Sequence, residues 1–387
     1  MDYTQNTKAN LPHLNQVYSS VWDNHPIIGQ IGGWVCDHVT GELKYKLHKT
    51  DWTKKIDGTP SVLTGEDGDV MVKVGAYYLK ITLEPYGQPK FELDDTIPDR
   101  RGTNGRPGFF VHPAFLTKSG KVKPYILVGA YKGHVLNNQL RSISGVVPTV
   151  SQTISSFTDK ARQGRNTGTN KHDITRFYER MALNLLFYFE FGTLDGQTAI
   201  GKGISEFTYD EGLAGTALRV TGQSNSLGDR SGYVVAGDGR TNGKVSIRWR
   251  GIEDYWGNVW EFVNGFMISD IGYHFTNDVT KFLNIGAMET YAKDLSAKVP
   301  DGYITDMEKI PGKEWIMIPK STGGSPSTYW CDHFWSHNPA QQNIALAGGS
   351  WSYGAICGPA CWTCYNVASL ANSAFGARLS CSEEDAA

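Results

Sequence analysis

Between Arg248 and Phe266 the chain reads RWRGIEDYWGNVWEFVNGF. Trp249, Tyr255, Trp256, Trp260, Phe262 and Phe266 are interleaved there with Gly251, Gly257 and Gly265. That much ring surface is costly to leave in water, and the glycines supply the tight turns that let the rings converge. The stretch therefore predicts an aromatic core lying beneath loops. Glu253, Asp254 and Glu261 fall within it and have two readings, a cation site or acceptors for buried backbone donors. The sequence leaves both open.

The rest of the composition agrees with a loop-rich, strand-rich protein. The 387 residues include 44 Gly, 11 Trp, 19 Tyr and 16 Phe, and 40% hydrophobic against 20% charged residues is enough for a sizeable core. A net charge of −2 gives no electrostatic reason to expect nucleic acid or an anionic membrane as partner. No apolar run reaches the roughly 20 residues of a membrane span. The polar start MDYTQNTKANLPHLNQVYSS lacks the layout of a signal peptide, so synthesis in a cytoplasm is expected.

In DGDVMVKVGAYYLKITLE, Val70, Val72 and Val74 alternate with Met71 and Lys73, which predicts a strand. GGWVCDHVTGELKYKL predicts a hairpin turning at Thr40-Gly41. These make residues 1–95 a small β-rich module. The Gly- and Pro-bearing stretch DDTIPDRRGTNGRPG places a linker at 96–106 and a second domain at 107–387. SQTISSFTDKAR predicts a helix. HDITRFYERMALNLLFYFE predicts a longer one capped by Asp173, with Ile174, Phe177, Met181, Leu185 and Phe189 on one face. Leu183, Leu186 and Phe187 widen that face. Two helices before a long, short-stranded half predict an α+β fold.

Motifs for familiar chemistry are missing. There is no phosphate-binding glycine loop, no H-E-x-x-H, and GGSWSYG lacks the glycine pattern of a nucleophile elbow. Cys331, His333 and His337 suggest zinc, but no fourth ligand follows at suitable spacing, and the aromatics and Pro339 mark a packed loop. Four of six cysteines lie between Cys357 and Cys381, and CGPACWTC has the C-x3-C-x2-C spacing of a radical iron–sulfur enzyme. That motif normally opens a long barrel, and here only 23 residues follow Cys364. Cys36 and Cys331 read as ordinary free thiols.

WGNVWEFVNGF resembles the core motif of the formylglycine-generating-enzyme family, a variant of the C-type lectin fold. ALAGGSWSYG (Ala345–Gly354) followed by FGARLSC (Phe375–Cys381) resembles its closing pattern, and FFVHPAF with ILVGAYKG resembles its opening strands. The resemblance spans about 107–387 and implies a lectin-type ligand-binding domain. Its enzyme branch oxidises a protein cysteine through copper held by two cysteines of the closing loop. Here Tyr353 occupies the first of those positions, and the remaining cysteines are displaced from the C-x4-C spacing.

The other branch, the variable proteins of diversity-generating retroelements (phage major tropism determinants among them), fits more closely. In these proteins adenine-directed mutagenesis of AAC codons rewrites the closing loop. Such substitution never yields Lys, Glu, Gln, Met or Trp. Between Ser350 and Phe375 none of these occurs except Trp351 and Trp362, which the template would fix. LTGEDGDVMVKVGAYYLK also resembles a β-module that precedes the lectin domain in phage-encoded members.

The resemblance implies a non-catalytic receptor-binding protein with a variable region at about 345–381, carried on a phage tail or displayed on a surface. Its target would be a protein or glycan on a host or neighbouring cell, and its branch includes homotrimers. No cofactor or metal is expected; the fold leaves room for a structural calcium that the sequence does not support. The diversified contacts would be Ser350, Ser352, Tyr353, Ala355, Ile356, Thr363, Tyr365, Asn366, Leu370, Asn372 and Ala374. Trp256, Trp260, Gly348, Gly349, Trp351, Gly376 and Arg378 would anchor the scaffold, Arg378 by pairing with a carboxylate such as Glu261. The alternative is the copper-dependent oxidase.

Overall fold

Val70, Val72 and Val74 lie in the strand Asp69–Gly75, fully buried along one face. The computed structural model describes residues 20–84, 88–94, 96–98, 106–165, 168–213, 217–235, 239–328 and 330–385. Asp69–Gly75 pairs on one side with Gly32–Cys36, which continues through the expected hairpin into Leu43–Lys46. On its other side it pairs with Tyr125–Gly129, followed by Leu379–Glu383 and Asn170–Ile174, completing a six-stranded antiparallel sheet.

This pairing crosses the expected boundary. Residues before 95 supply three strands of a sheet whose other three come from beyond 106, and Met71 to Gly75 pair residue for residue with Gly129 to Tyr125. The 96–106 stretch is thus no division of the core; residues 99–105 of it lie outside the described residues. Strand pairing follows hydrogen-bonding edges, which local composition does not reveal.

A second sheet of nine strands carries the C-terminal half. Its long central strand, Trp260–Ser269, is buried at every residue. Asn343–Ala347, Trp362–Asn366, His333–Trp335 and Gly302–Met307 follow on one side, and Gly272–Phe275 on the other. The helix Phe177–Phe191 packs against the central strand, with the Phe177 ring stacked on Phe266 at 4.4 Å. Its flanks are buried as expected, apart from the partly buried Phe189. The shorter helix, Ile154–Arg162, is capped by Thr153, whose hydroxyl accepts from Ser156 N at 3.2 Å. The architecture is α+β, rich in strands and poor in helices.

The structure moves one helix cap. Asp173 and Ile174 belong to the strand Asn170–Ile174, and the long helix begins at Phe177 after Arg176. Glu179 accepts from Arg176 N at 3.0 Å and closes the first turn. Asp173 serves tertiary structure instead, accepting from Asn264 Nδ2 at 2.6 Å and Arg162 Nε at 3.0 Å. Pairing with Leu379–Glu383 outweighs the local helical pattern.

Because the first sheet is shared, a chain starting at residue 107 should not fold. Removing Asp69–Gly75 exposes Ile126 and Val128 and leaves Tyr125–Gly129 an open edge. Near-ultraviolet circular dichroism should show no fixed aromatic packing; a cooperatively melting 107–387 fragment would contradict the shared core.

Candidate ligand-binding loop

The GNVWEF stretch holds both ends of the segment that runs from Gly348 to Gly376. At the first end, Gly257 N donates to Gly348 O at 3.2 Å and Trp351 N to Asn258 O at 3.1 Å. Gly348 and Gly349 have φ of +92° and +80°, and a Cβ on Gly349 would stand 2.4 Å from Cys357 Sγ. At the other end, Trp260 N donates to Ala374 O at 2.9 Å, and Trp260 and Glu261 pair in parallel with Phe375 and Gly376. The Gly257–Asn258 turn and the buried strand that follows it therefore fix where the loop leaves the core and where it returns.

A buried charge cluster closes the same clamp. Arg378 Nε donates to Glu261 Oε1 at 2.8 Å, the pair anticipated from sequence. Its remaining nitrogens donate to Gly129 O, Glu253 O and Asp254 O at 2.8–2.9 Å. Lys132 Nζ also reaches Glu261 Oε1 at 2.8 Å. Burial alone would push the Glu261 carboxyl up, but Arg378, Lys132 and Arg180 overcome it and hold the group at about 2. Glu253 accepts from Gly222 N and Ser224 N, and Asp254 from Asn258 Nδ2. The three acids thus take up donors and cations of the protein itself.

Between its ends the loop is pinned from outside. Gly354 N donates to Ser205 O, Phe207 N to Trp351 O, and Gln197 Nε2 to the carbonyls of Gly354 and Cys357. These backbone groups are held by the surrounding protein, and the side chains divide by direction. In Trp362–Asn366, Trp362 and Cys364 point into the core while Thr363 and Tyr365 point to a cleft.

This cleft, about 410 Å³, is lined by Tyr353, Thr363, Tyr365 and Asn366 of the loop, together with Trp260, Trp335, Lys298 and Asp301. The rings of Trp260, Trp335 and Tyr353 meet edge to face at 5.1–5.6 Å. Lys298 Nζ lies 5.1 Å from the Tyr365 ring centroid and 2.7 Å from Asp301 Oδ2, whose other oxygen accepts from Ser336 N. Tyr365 is 47% exposed. The arrangement offers aromatic faces rimmed by hydroxyl, amide and charged groups, which suits reversible recognition.

Four of the eleven expected contacts converge here. Ser352, Ala355 and Asn372 are exposed elsewhere along the loop, and Ile356, Leu370 and Ala374 are partly buried or at its rim. Ser350 is a correction: it is completely buried under the Gly349 turn and cannot touch a ligand. Tyr353 lines the cleft but also packs on both large hydrophobic clusters, so it is part of the core as well. Of the aromatic anchors, Trp260 floors the cleft, while Trp256 lies in the main core against Phe187 at 5.7 Å. Trp351 is buried against Phe207 and Ala217. Lys298, Asp301 and Trp335 were not anticipated. The Lys-x-x-Asp spacing was visible, but nothing in sequence placed that loop beside Tyr365.

The cysteines are core residues. All six are buried free thiols, and burial raises Cys357, Cys361 and Cys364 well above the ordinary thiol range. Among the described residues no three His, Cys, Asp or Glu side chains are placed to share a metal. The His333 ring packs at a tilt against Trp335, centroids 4.1 Å apart, and His337 Nε2 meets Leu295 O at 2.7 Å. Among the described residues no helix is long and apolar enough to cross a membrane.

Fold and site together define an α+β protein that presents a C-terminal loop from a buried clamp. No family model matches the sequence, and no curated protein matches it. Among solved structures the chain is similar to Treponema denticola variable protein 1, at 12% identity and a TM-score of 0.31, over 81% of this chain and 96% of that one.

Replacing Arg378 with Met would leave Glu261 underpaired in the core and should cost about 3–5 kcal/mol, read as a lower unfolding midpoint in urea. The same carboxylate gives an acid signature. Its folded value lies below the ordinary 4.5, so its contribution is full above pH 4.5 and is lost as pH falls toward 2. The Arg378→Met variant should lose less stability than the parent across that window.

Proposed function

We propose that this protein is a diversified ligand-binding protein of the retroelement variable-protein type, with a C-type lectin fold of the formylglycine-generating-enzyme variant. It binds through the 350–375 loop, without catalysis. The reading is carried by one observation: the buried GNVWEF stretch clamps both ends of a loop whose outward residues are of types that AAC mutagenesis can deposit. A binder of this kind must change many side chains without losing its fold. Here the loop's backbone is fixed by groups that no side-chain change in the cleft removes.

The target would be a protein or glycan on another cell's surface, with the protein displayed on a virion or cell. Many copies would raise a modest single-site affinity. Tyr365, exposed and rigid, is the main contact, with Trp335 as the fixed aromatic partner.

The test is a library varied at Ser352, Ala355, Ile356, Tyr365 and Asn366. Most members should melt within a few degrees of the parent, and selection against an arbitrary protein target should yield binders. If most members fail to fold, the loop is structural and the reading falls. Tyr365→Ala should leave the melting temperature unchanged while abolishing binding to the natural target. Tyr353→Ala should lower stability by about 2 kcal/mol as well, since its ring packs on Trp260 and Trp335. A near-identical repeat of the final coding segment, bearing AAC at these codons beside a reverse-transcriptase gene, would be the genomic counterpart.

A further inference from the structure

Ala355 of the Gly354–Ile356 turn, and Cys357 just after it, line a second cavity of about 430 Å³, to which Tyr353 does not contribute. Its walls include Asp195, Thr198, Tyr233, Asn242, Ala355 and Asp332. Asp332 is only 2% exposed. One of its oxygens accepts from Ala360 N at 2.7 Å; the other has no hydrogen-bond partner among the described residues. That free oxygen lies against Gly358, where a Cβ would approach it to 1.9 Å. The loop thus keeps a residue without a side chain where the carboxyl stands.

Among the described residues no cation forms an ion pair with this acid. Arg180 is the opposing charge that acts on it, but its guanidinium donates to the carbonyls of Pro359 and Tyr255 and stacks on the Tyr255 ring at 3.9 Å. Lys202, at the cavity wall, is bound to Glu206 at 2.6 Å. Asp195 adds a second carboxylate, occupied by Thr198 N and Thr198 Oγ1. Cys357, Cys361 and Tyr303 also interact with Asp332, none of them as a cation. A buried carboxyl with a free oxygen, facing a polar cavity without a counter-ion, marks a place for a positively charged guest.

We propose that this cavity is a second ligand subsite, which takes a primary ammonium group, such as a lysine side chain or a small alkylamine, on Asp332. It is independent of the Tyr353–Tyr365 cleft. Burial first, and then Asp195, raise the Asp332 carboxyl well above its ordinary range. An ammonium guest, entering as R–NH3+, supplies the opposite charge that this carboxyl lacks, and the two form an ion pair.

The experiment is calorimetric titration of the full chain with n-butylamine at pH 7, with n-butanol as the neutral isostere. Butylammonium should bind, and butanol at least tenfold more weakly. Asp332→Asn keeps an oxygen for Ala360 N; it should melt at a higher temperature than the parent and bind butylammonium at least tenfold more weakly. Equal binding of amine and alcohol, undiminished binding in the variant, or binding of calcium alone would each overturn the assignment.

Discussion

The ion pair between Glu261 and Arg378 joins the two parts of the chain on which everything else depends. Glu261 belongs to the strand at the centre of the second sheet, and Arg378 lies where the loop has just returned to the core. Two buried charges are worth keeping only where each is surrounded by partners, and here Arg378 also satisfies three carbonyls while Glu261 collects two further cations. The pair therefore fixes geometry more than it adds stability. With Trp260 N bound to Ala374 O, it sets the return point of the loop to a single position.

From that fixed frame the direction of each loop side chain follows. Strand alternation turns Trp362 and Cys364 inward and Thr363 and Tyr365 outward. Burial accounts for CGPACWTC. Its spacing suggests a cluster, yet each thiol points into packed surroundings where burial keeps it protonated. Sulfur serves there as a small apolar group.

The cleft and the second cavity are lined by different residues of the same loop, Tyr353 and Ala355 respectively, and differ in chemistry. The first is aromatic and exposes a paired lysine and aspartate; the second is polar and keeps an acid without a counter-ion. Tyr353 and Tyr365 line only the first, and Ala355 only the second.

Much of this was legible in the sequence for physical reasons. The Val70–Val74 alternation, the hairpin at Thr40-Gly41 and the helix within SQTISSFTDKAR are set by local periodicity and turn chemistry, and each is present in the fold. The aromatic and glycine density from Arg248 to Phe266 likewise predicted a core that is fully buried. What the sequence could not decide depends on pairing between distant segments. The strand Asp69–Gly75 joins Tyr125–Gly129 across an apparent linker, and Asp173 leaves the helix for a strand that meets Leu379–Glu383. Ser350 and Tyr365 look alike as loop residues, but the Gly349 turn buries one and the strand presents the other. Lys298, Asp301 and Trp335 reach the cleft only because the second sheet brings their strands and loops beside Trp362–Asn366. Local propensity acts over a few residues, whereas a binding surface is assembled by long-range contacts, and these only the tertiary structure decides.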